Sequence, residues 1–265
     1  MSRHSSSGFT IIETMLVLAI TGMLIVGLLV GLGSSINIQR YRDSVISFQS
    51  LLQSQFSELD NVRNDRNANW SCDSSAQPSE GGSTTQKPGQ SDCVILGRYL
   101  SITGSDITTA TVIGNETGNS AATNDIADVT QNYAVGLSSS SVETGTIEWG
   151  AEIAWPQQGD DTSSNGGTRS IAMLFLRSPT SGTTYTFTSD SVADSDVVNS
   201  QVLKAMMVTG RTIPGQAERV LCINPVGVVV PEKMAVVLGA GAANVNAIET
   251  RTYSTFQSLG GNTEC

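Results

Sequence analysis

The stretch Ser5–Ser35, SSSGFTIIETMLVLAITGMLIVGLLVGLGSS, decides the fold. Glu13 is its only charged residue, and no further charge occurs from Thr14 to Gln39. Thr14–Leu32 is almost wholly apolar. At 1.5 Å per residue, about 20 helical residues cross the ~30 Å hydrocarbon core of a bilayer. The run therefore predicts a transmembrane helix, with a carboxylate at its front edge. An ionised group there is costly and asks for a reason. The run is not an ordinary secretory signal, because it is too long and no A-x-A-like site follows it. The segment in front, MSRHSSSG, is short and polar, with one Arg.

Past Arg40 the pattern changes. Tyr41, Val45, Phe48, Leu52, Phe56, Leu59 and Val62 recur at spacings of three and four, which is one stripe of an amphipathic helix. Arg40, Arg42, Asp43, Glu58 and Asp60 fall largely off that stripe, and no Pro interrupts Phe9–Arg63. One helix of about 50 residues is predicted, half in lipid and half soluble. The apolar face of its soluble half must cover a folded domain.

The 265 residues suffice for one large or two small domains. With 39% hydrophobic residues, 5% aromatics and 26 Gly, the chain has the composition of a Ser/Thr/Gly-rich extracellular β protein. A net charge of −10 argues against nucleic-acid binding through a general positive field. The single histidine, His4, precedes the apolar run. The body thus lacks the residue that Ser-His-Asp and Cys-His catalysis, HExxH sites and imidazole metal ligation require. Cys72, Cys93, Cys222 and Cys265 all follow the span, and none is in Cys-x-x-Cys spacing. This favours two disulfides in an oxidising compartment. Three pairings exist, and proximity in sequence favours Cys72–Cys93 with Cys222–Cys265.

Asn64–Asp92 is rich in Ser, Gly, Pro and Asn and predicts a loop. Val94–Leu100, with Ile102, is a short apolar segment able to pack on the helix. Thr103–Ser141 is again polar, with short β-prone runs such as TATVI (109–113). Strand candidates follow: Thr146–Trp155 with an irregularity at Gly150, a hairpin of Ser170–Arg177 with Thr183–Ser189, a hairpin of Arg219–Ile223 with Val226–Val230, and Lys233–Gly239. Asp196–Val208 fits a short helix or a strand. The sum predicts an antiparallel sheet of about four to seven strands on the long helix.

GFTIIE, Gly8–Glu13, resembles the cleavage motif of type IV prepilins and type II secretion pseudopilins. The resemblance covers roughly residues 1–62. It implies that a prepilin peptidase cuts between Gly8 and Phe9 on the cytoplasmic side and methylates the new amine of Phe9. It implies a pilin-like α+β fold, a long N-terminal α-helix packed on an antiparallel β-sheet domain. The division that follows is a leader at 1–8, a transmembrane assembly helix at 9–38, its amphipathic soluble half at 39–63, a variable loop-rich connection at 64–141 and a β-sheet domain at 142–265. The implied partners are other pilin or pseudopilin subunits, the peptidase, an inner-membrane assembly platform and the lipid bilayer. The implied route runs from the cytoplasmic membrane, N-terminus inside, to an extracellular or envelope filament. Glu13 then has its reason: the carboxylate pairs with the Phe9 amine of a neighbouring subunit, which is strongly attractive at low dielectric. Gly22, Gly27 and Gly31 would let helices approach closely, Gly27-x-x-x-Gly31 above all.

FLRSPTSGTTYTF (175–187) and RVLCINPVGVVV (219–230) are similar to segments of the H-type minor pseudopilins and their minor-pilin relatives. Some of those relatives bind DNA through a basic motif after the glycine. Here Gly227 is followed by Val228, Val229 and Val230, so DNA binding is not carried over and nucleic acid is not an expected partner. No cofactor is expected. Calcium is the one candidate, through the acidic runs Gly159–Gly167 and Ser189–Val198, but neither has the EF-hand spacing. The expected function is a structural subunit, not an enzyme. The alternatives are a tip subunit with an adhesive or ligand-binding domain, and an unprocessed, membrane-anchored surface protein.

Overall fold

The computed structural model describes residues 10–60, 70–80, 91–158, 167–190, 198–209, 218–239, 241–252 and 263–265. It opens with α1, Ile11–Asp60, a single 50-residue helix. The stripe predicted on its second half is buried: Tyr41, Val45, Phe48, Leu52, Phe56 and Leu59 all lie in the core. The last member of the stripe, Val62, lies outside the described residues. The described side chains of Ile11–Leu32 are exposed, so the helix changes environment along its length.

After α1 come β1 (Trp70–Cys72) and β2 (Pro78–Glu80), an antiparallel pair. Their turn is set by Asp73, whose Oδ1 accepts the N–H of Ser75 at 2.9 Å and of Gln77 at 2.8 Å. Part of the expected loop Asn64–Asp92 is therefore a hairpin. The apolar segment at 94–100 belongs to a long strand, β3 (Cys93–Thr103), paired with β4 (Asp106–Glu116). The helix α2 (Asp125–Asn132), capped by the Asn124 side chain, leads into β5 (Tyr133–Leu137). Residues 93–137, expected as connection, thus build the middle of a sheet. The remaining elements are β6 (Glu143–Thr146), β7 (Ala151–Ala154), β8 (Gln157–Gln158), β9 (Ser170–Arg177), β10 (Thr184–Ser189), α3 (Ser200–Thr209), β11 (Arg219–Pro225), β12 (Met234–Leu238), β13 (Ile248–Thr252) and β14 (Thr263–Glu264).

The strands form two main antiparallel sheets where one was expected. The larger runs β10-β9-β3-β4-β5, with β6 sharing the same edge of β4 as β5. The smaller runs β13-β12-β11-β7. The expected hairpin of 170–177 with 183–189 is present as β9 and β10, with Phe175 opposite Thr186. The hairpin expected within 219–230 is not: β11 pairs with β12, Cys222 opposite Ala235, and Val226–Val230 lies in the connection. Gly227, at φ +74°, turns the chain away, and Pro231 has no N–H to give a ladder. The predicted strand 146–155 is also broken. A 3₁₀ turn at Glu148–Gly150 separates β6 from β7, which enter different sheets.

β9 shows why its sequence, SIAMLFLR, is apolar without alternation. Ile171, Met173 and Phe175 face α1 in one core cluster, and Ala172, Leu174 and Leu176 face Val129 of α2 and Leu203, Met206 and Met207 of α3 in another. A strand covered on both faces has no solvent side on which to place polar residues. The same crowding explains Gly97 on β3. A Cβ there would run into the Phe175 carbonyl oxygen. α1 also contacts the smaller sheet, so its lower half holds both sheets in one core with Ile153, Leu221, Ile223, Val236 and Ile248.

Both pairings favoured by proximity are formed. Cys72–Cys93, Cα atoms 5.9 Å apart, joins the β1–β2 hairpin to the start of β3. Cys222–Cys265, 5.4 Å apart, ties the C-terminal residue to β11.

Candidate assembly and membrane interface

Gly8 and Phe9, the residues of the expected cut, lie outside the described residues. Thr10 and Glu13 do not. The Thr10 Oγ1 accepts the Glu13 N–H at 3.3 Å, at the first turn of α1. This is the Thr half of a Thr-x-x-Glu capping box, a signal present in TIIE and missed in reading the sequence. A carboxylate in the first turn also meets the positive end of the helix dipole. Glu13 is exposed, and among the described residues no cation pairs with it.

The rest of the apolar segment is open. A Cβ placed on Gly22, Gly27 or Gly31 would meet nothing within 4 Å. Among the described residues none of these glycines packs against another part of the chain, and none is brought to Glu13 except along one helix. The polar groups in the run are satisfied internally: the Thr14 hydroxyl donates to the Ile11 carbonyl at 2.8 Å and the Thr21 hydroxyl to that of Val17 at 2.7 Å. This suits a segment in lipid, where no water completes hydrogen bonds. α1 is long and apolar enough to cross a membrane.

Below the span, polar contacts lock helix to domain. The buried Tyr41 hydroxyl donates to the Ile223 carbonyl at 2.8 Å and accepts the Met234 N–H at 2.7 Å, clasping the facing ends of β11 and β12. Burial pushes the Tyr41 phenol up to about 12, against the lowering effect of the Met234 N–H. Gln49 and Gln53 both donate to the Ile248 carbonyl, at 3.1 and 3.2 Å. Near the far end of α1, Arg98 on β3 bonds Gln55 at 3.3 Å and pairs with Glu58 at 2.9 Å. The helix is thus held to its domain at three levels.

Where the helix leaves the span, Arg40 lies 4.9 Å from the ring of Trp149. Trp149 has φ +58°, a left-handed conformation rare for an aromatic residue. Its ring and the nearby Val226 and Val229 are exposed.

The acidic runs weighed for calcium lie mostly outside the described residues. Asp190, which is described, is engaged by Arg169 at 2.7 Å and Arg219 at 3.1 Å. Among the described residues no cluster of three or more His, Cys, Asp or Glu residues gathers as metal ligands.

One family model matches the chain, described as the prokaryotic N-terminal methylation motif, over residues 3–29. It spans Gly8, Phe9, Glu13 and most of the apolar run. The chain therefore carries a type IV pilin- or pseudopilin-like prepilin motif, of the kind that marks a processed protein. The long helix followed by antiparallel sheets is an α+β layout consistent with a pilin-like fold. No curated protein and no solved structure matches.

Proposed function

We propose that this chain is a structural subunit of a type IV pilus or pseudopilus, cut between Gly8 and Phe9, N-methylated and polymerised through the apolar half of α1. One observation carries the reading. A single 50-residue helix has a bare apolar half behind a methylation motif, and a second half built into a disulfide-bonded β domain. The bare half needs lipid before assembly and neighbouring helices after it. Glu13 serves the change between the two: moving into a helical bundle, its carboxylate gains the Phe9 amine of the next subunit and fixes axial register. Gly22, Gly27 and Gly31 lie on the open helix and allow close packing there. The role is assembly rather than catalysis, and it requires no cofactor. The partners are other subunits, the peptidase and a membrane assembly platform, and the β domain lies outermost. The leader at 1–8, the assembly helix at 9–38 and its soluble half at 39–63 are the working parts of the N-terminal region.

The test is the mass of the N-terminal peptide from filaments sheared off producing cells. A peptide beginning at N-methylated Phe9 is expected. A peptide retaining Met1, found only in membranes, would replace this reading with an anchored surface protein.

A further inference from the structure

We propose that the domain has a second membrane contact, formed by Trp149 and the loop Val226–Val230, seated in the headgroup layer beside the emerging α1. The proposal rests on the reading of the apolar half of α1 as a membrane anchor.

Depth is the first argument. Ile11–Leu32 at ~1.5 Å per residue spans roughly the ~30 Å hydrocarbon core, and the headgroup layer adds about 6 Å, or some four residues more. That layer is reached at Ser34–Asn37. Trp149, Val226 and Val228 line a shallow cleft with Asn37, Arg40 and Tyr41. They therefore begin at the outer edge of the headgroup layer, next to the last helix residues it holds.

Exposure is the second. Val229 is 95% exposed, and Val226 and Trp149 are each 56% exposed. The run Val228-Val229-Val230 did not join β11 in a hairpin; Val228 and Val230 are half-buried, Val230 against the core under α1, and Val229 stands exposed between them. Each side chain that leaves water for lipid gains in proportion to its apolar area.

Backbone geometry is the third. A left-handed conformation is costly for a non-glycine residue. Trp149 adopts it in a turn that holds the ring outward, over Arg40. Trp is suited to the boundary between hydrocarbon and water, where its body is apolar and its N–H stays wet. Asp43, Glu148 and Glu232 accompany Arg40, Arg42 and Lys233 along these segments, so charge is mixed and the contact is carried by the apolar side chains. Continuity with the span favours lipid as the occupant. The contact would hold the rigid helix–domain unit at one tilt on the membrane before assembly.

The test uses the full chain in phosphatidylcholine–phosphatidylglycerol vesicles, with a nitroxide on one added cysteine. Val229→Cys probes the loop, Leu24→Cys the span, and Thr183→Cys the opposite end, where Arg177 reaches the Leu59 carbonyl. Relative accessibility to oxygen and to a water-soluble nickel chelate reports depth. The Val229 label is expected to lie between the other two. A Val229 label as wet as that at Thr183, with Leu24 in lipid, overturns the proposal and spares the anchor. A wet Leu24 label overturns both. A Val229 label that is wet in vesicles but shielded in sheared filaments overturns it in favour of a contact with a neighbouring copy.

Discussion

At Glu13 two demands meet in one side chain. Within the chain it belongs to the first turn of α1, where Thr10 caps its N–H and the helix dipole welcomes its charge. Between chains it is the acid proposed to meet a neighbour's amine. Glu13→Gln separates the two, because it keeps the shape and capping geometry and removes the charge. Losing one partner of a buried ion pair costs about 3–5 kcal/mol, so incorporation into filaments should fall by roughly a hundredfold or more. Immunoblots of sheared and membrane fractions check this: processed subunit should accumulate in the membrane while the filament fraction empties. Tyr41 gives a residue-scale prediction for the domain. Its folded-state pKa is raised from about 10 to about 12, so the neutral form is favoured on folding. Its contribution is complete below pH ~10 and is lost as pH rises from there toward about 12. Burial, with acidic neighbours, also raises Tyr133 and Tyr185, so they share the alkaline loss. Tyr41→Phe should cost about 1–2 kcal/mol at neutral pH, by orphaning the Met234 N–H and the Ile223 carbonyl. It should also flatten the pH dependence in urea titrations between about pH 10 and 12. The methylation motif around Gly8–Glu13 was legible in the sequence, and the family model matches it over residues 3–29. Tyr41 was legible only as one member of an apolar stripe, because a hydroxyl's partners on strands 182 and 193 residues away leave no trace in local spacing.

Among the elements, α1 was the most legible, and β4 was legible only in part. The spacing from Tyr41 to Leu59 named the residues the structure buries, because a helix against a domain has one dry face. β4 reads DITTATVIGNE, and its run TATVI (109–113) was legible as β-prone; what was not legible is that Thr109 and Ala110 are buried, inside a region whose composition predicts a connection. Its neighbours decide its burial: it lies between β3 and the β5–β6 edge, with α2 and α3 over one face of the sheet. The change of environment along α1 gives a paired prediction. Leu52 is fully buried beneath the sheets, whereas Leu24 is exposed in the span. Leu52→Ala should destabilise the domain by about 2–5 kcal/mol, through lost transfer energy and a cavity. Leu24→Ala should leave domain unfolding in detergent unchanged, since among the described residues nothing packs over it. Denaturant midpoints of the two variants, followed by near-ultraviolet circular dichroism, separate the halves.

The whole molecule is two sheets made into one body, and that was not legible, because sheet partition depends on where β6 and β7 part at Trp149–Gly150. Besides the core under α1, one ionic cluster joins the sheets. Arg169, which is 2% exposed, donates to Asp190 at the end of β10 and, at 2.8 Å, to the Val220 carbonyl on β11. Its guanidinium also lies 4.3 Å from the ring of Trp155. Arg219 approaches Asp190 from the smaller sheet at 3.1 Å. The acid therefore holds two cations that belong to different parts of the fold. Burial lowers the Arg169 pKa, and Asp190 opposes that shift. The members should not respond alike to deletion. Asp190→Ala leaves a buried guanidinium with a carbonyl and a ring but no counter-charge, a cost of about 3–5 kcal/mol. Arg169→Met leaves Asp190, part-exposed, still paired with Arg219, and fills the space with an adaptable apolar chain. It forfeits chiefly the bond to Val220, at about 1–2 kcal/mol. Guanidinium titrations of the disulfide-intact protein, at matched slope, should therefore rank Asp190→Ala well below Arg169→Met. The reverse order would mean that Arg169 acts by packing between the sheets, with its charge incidental.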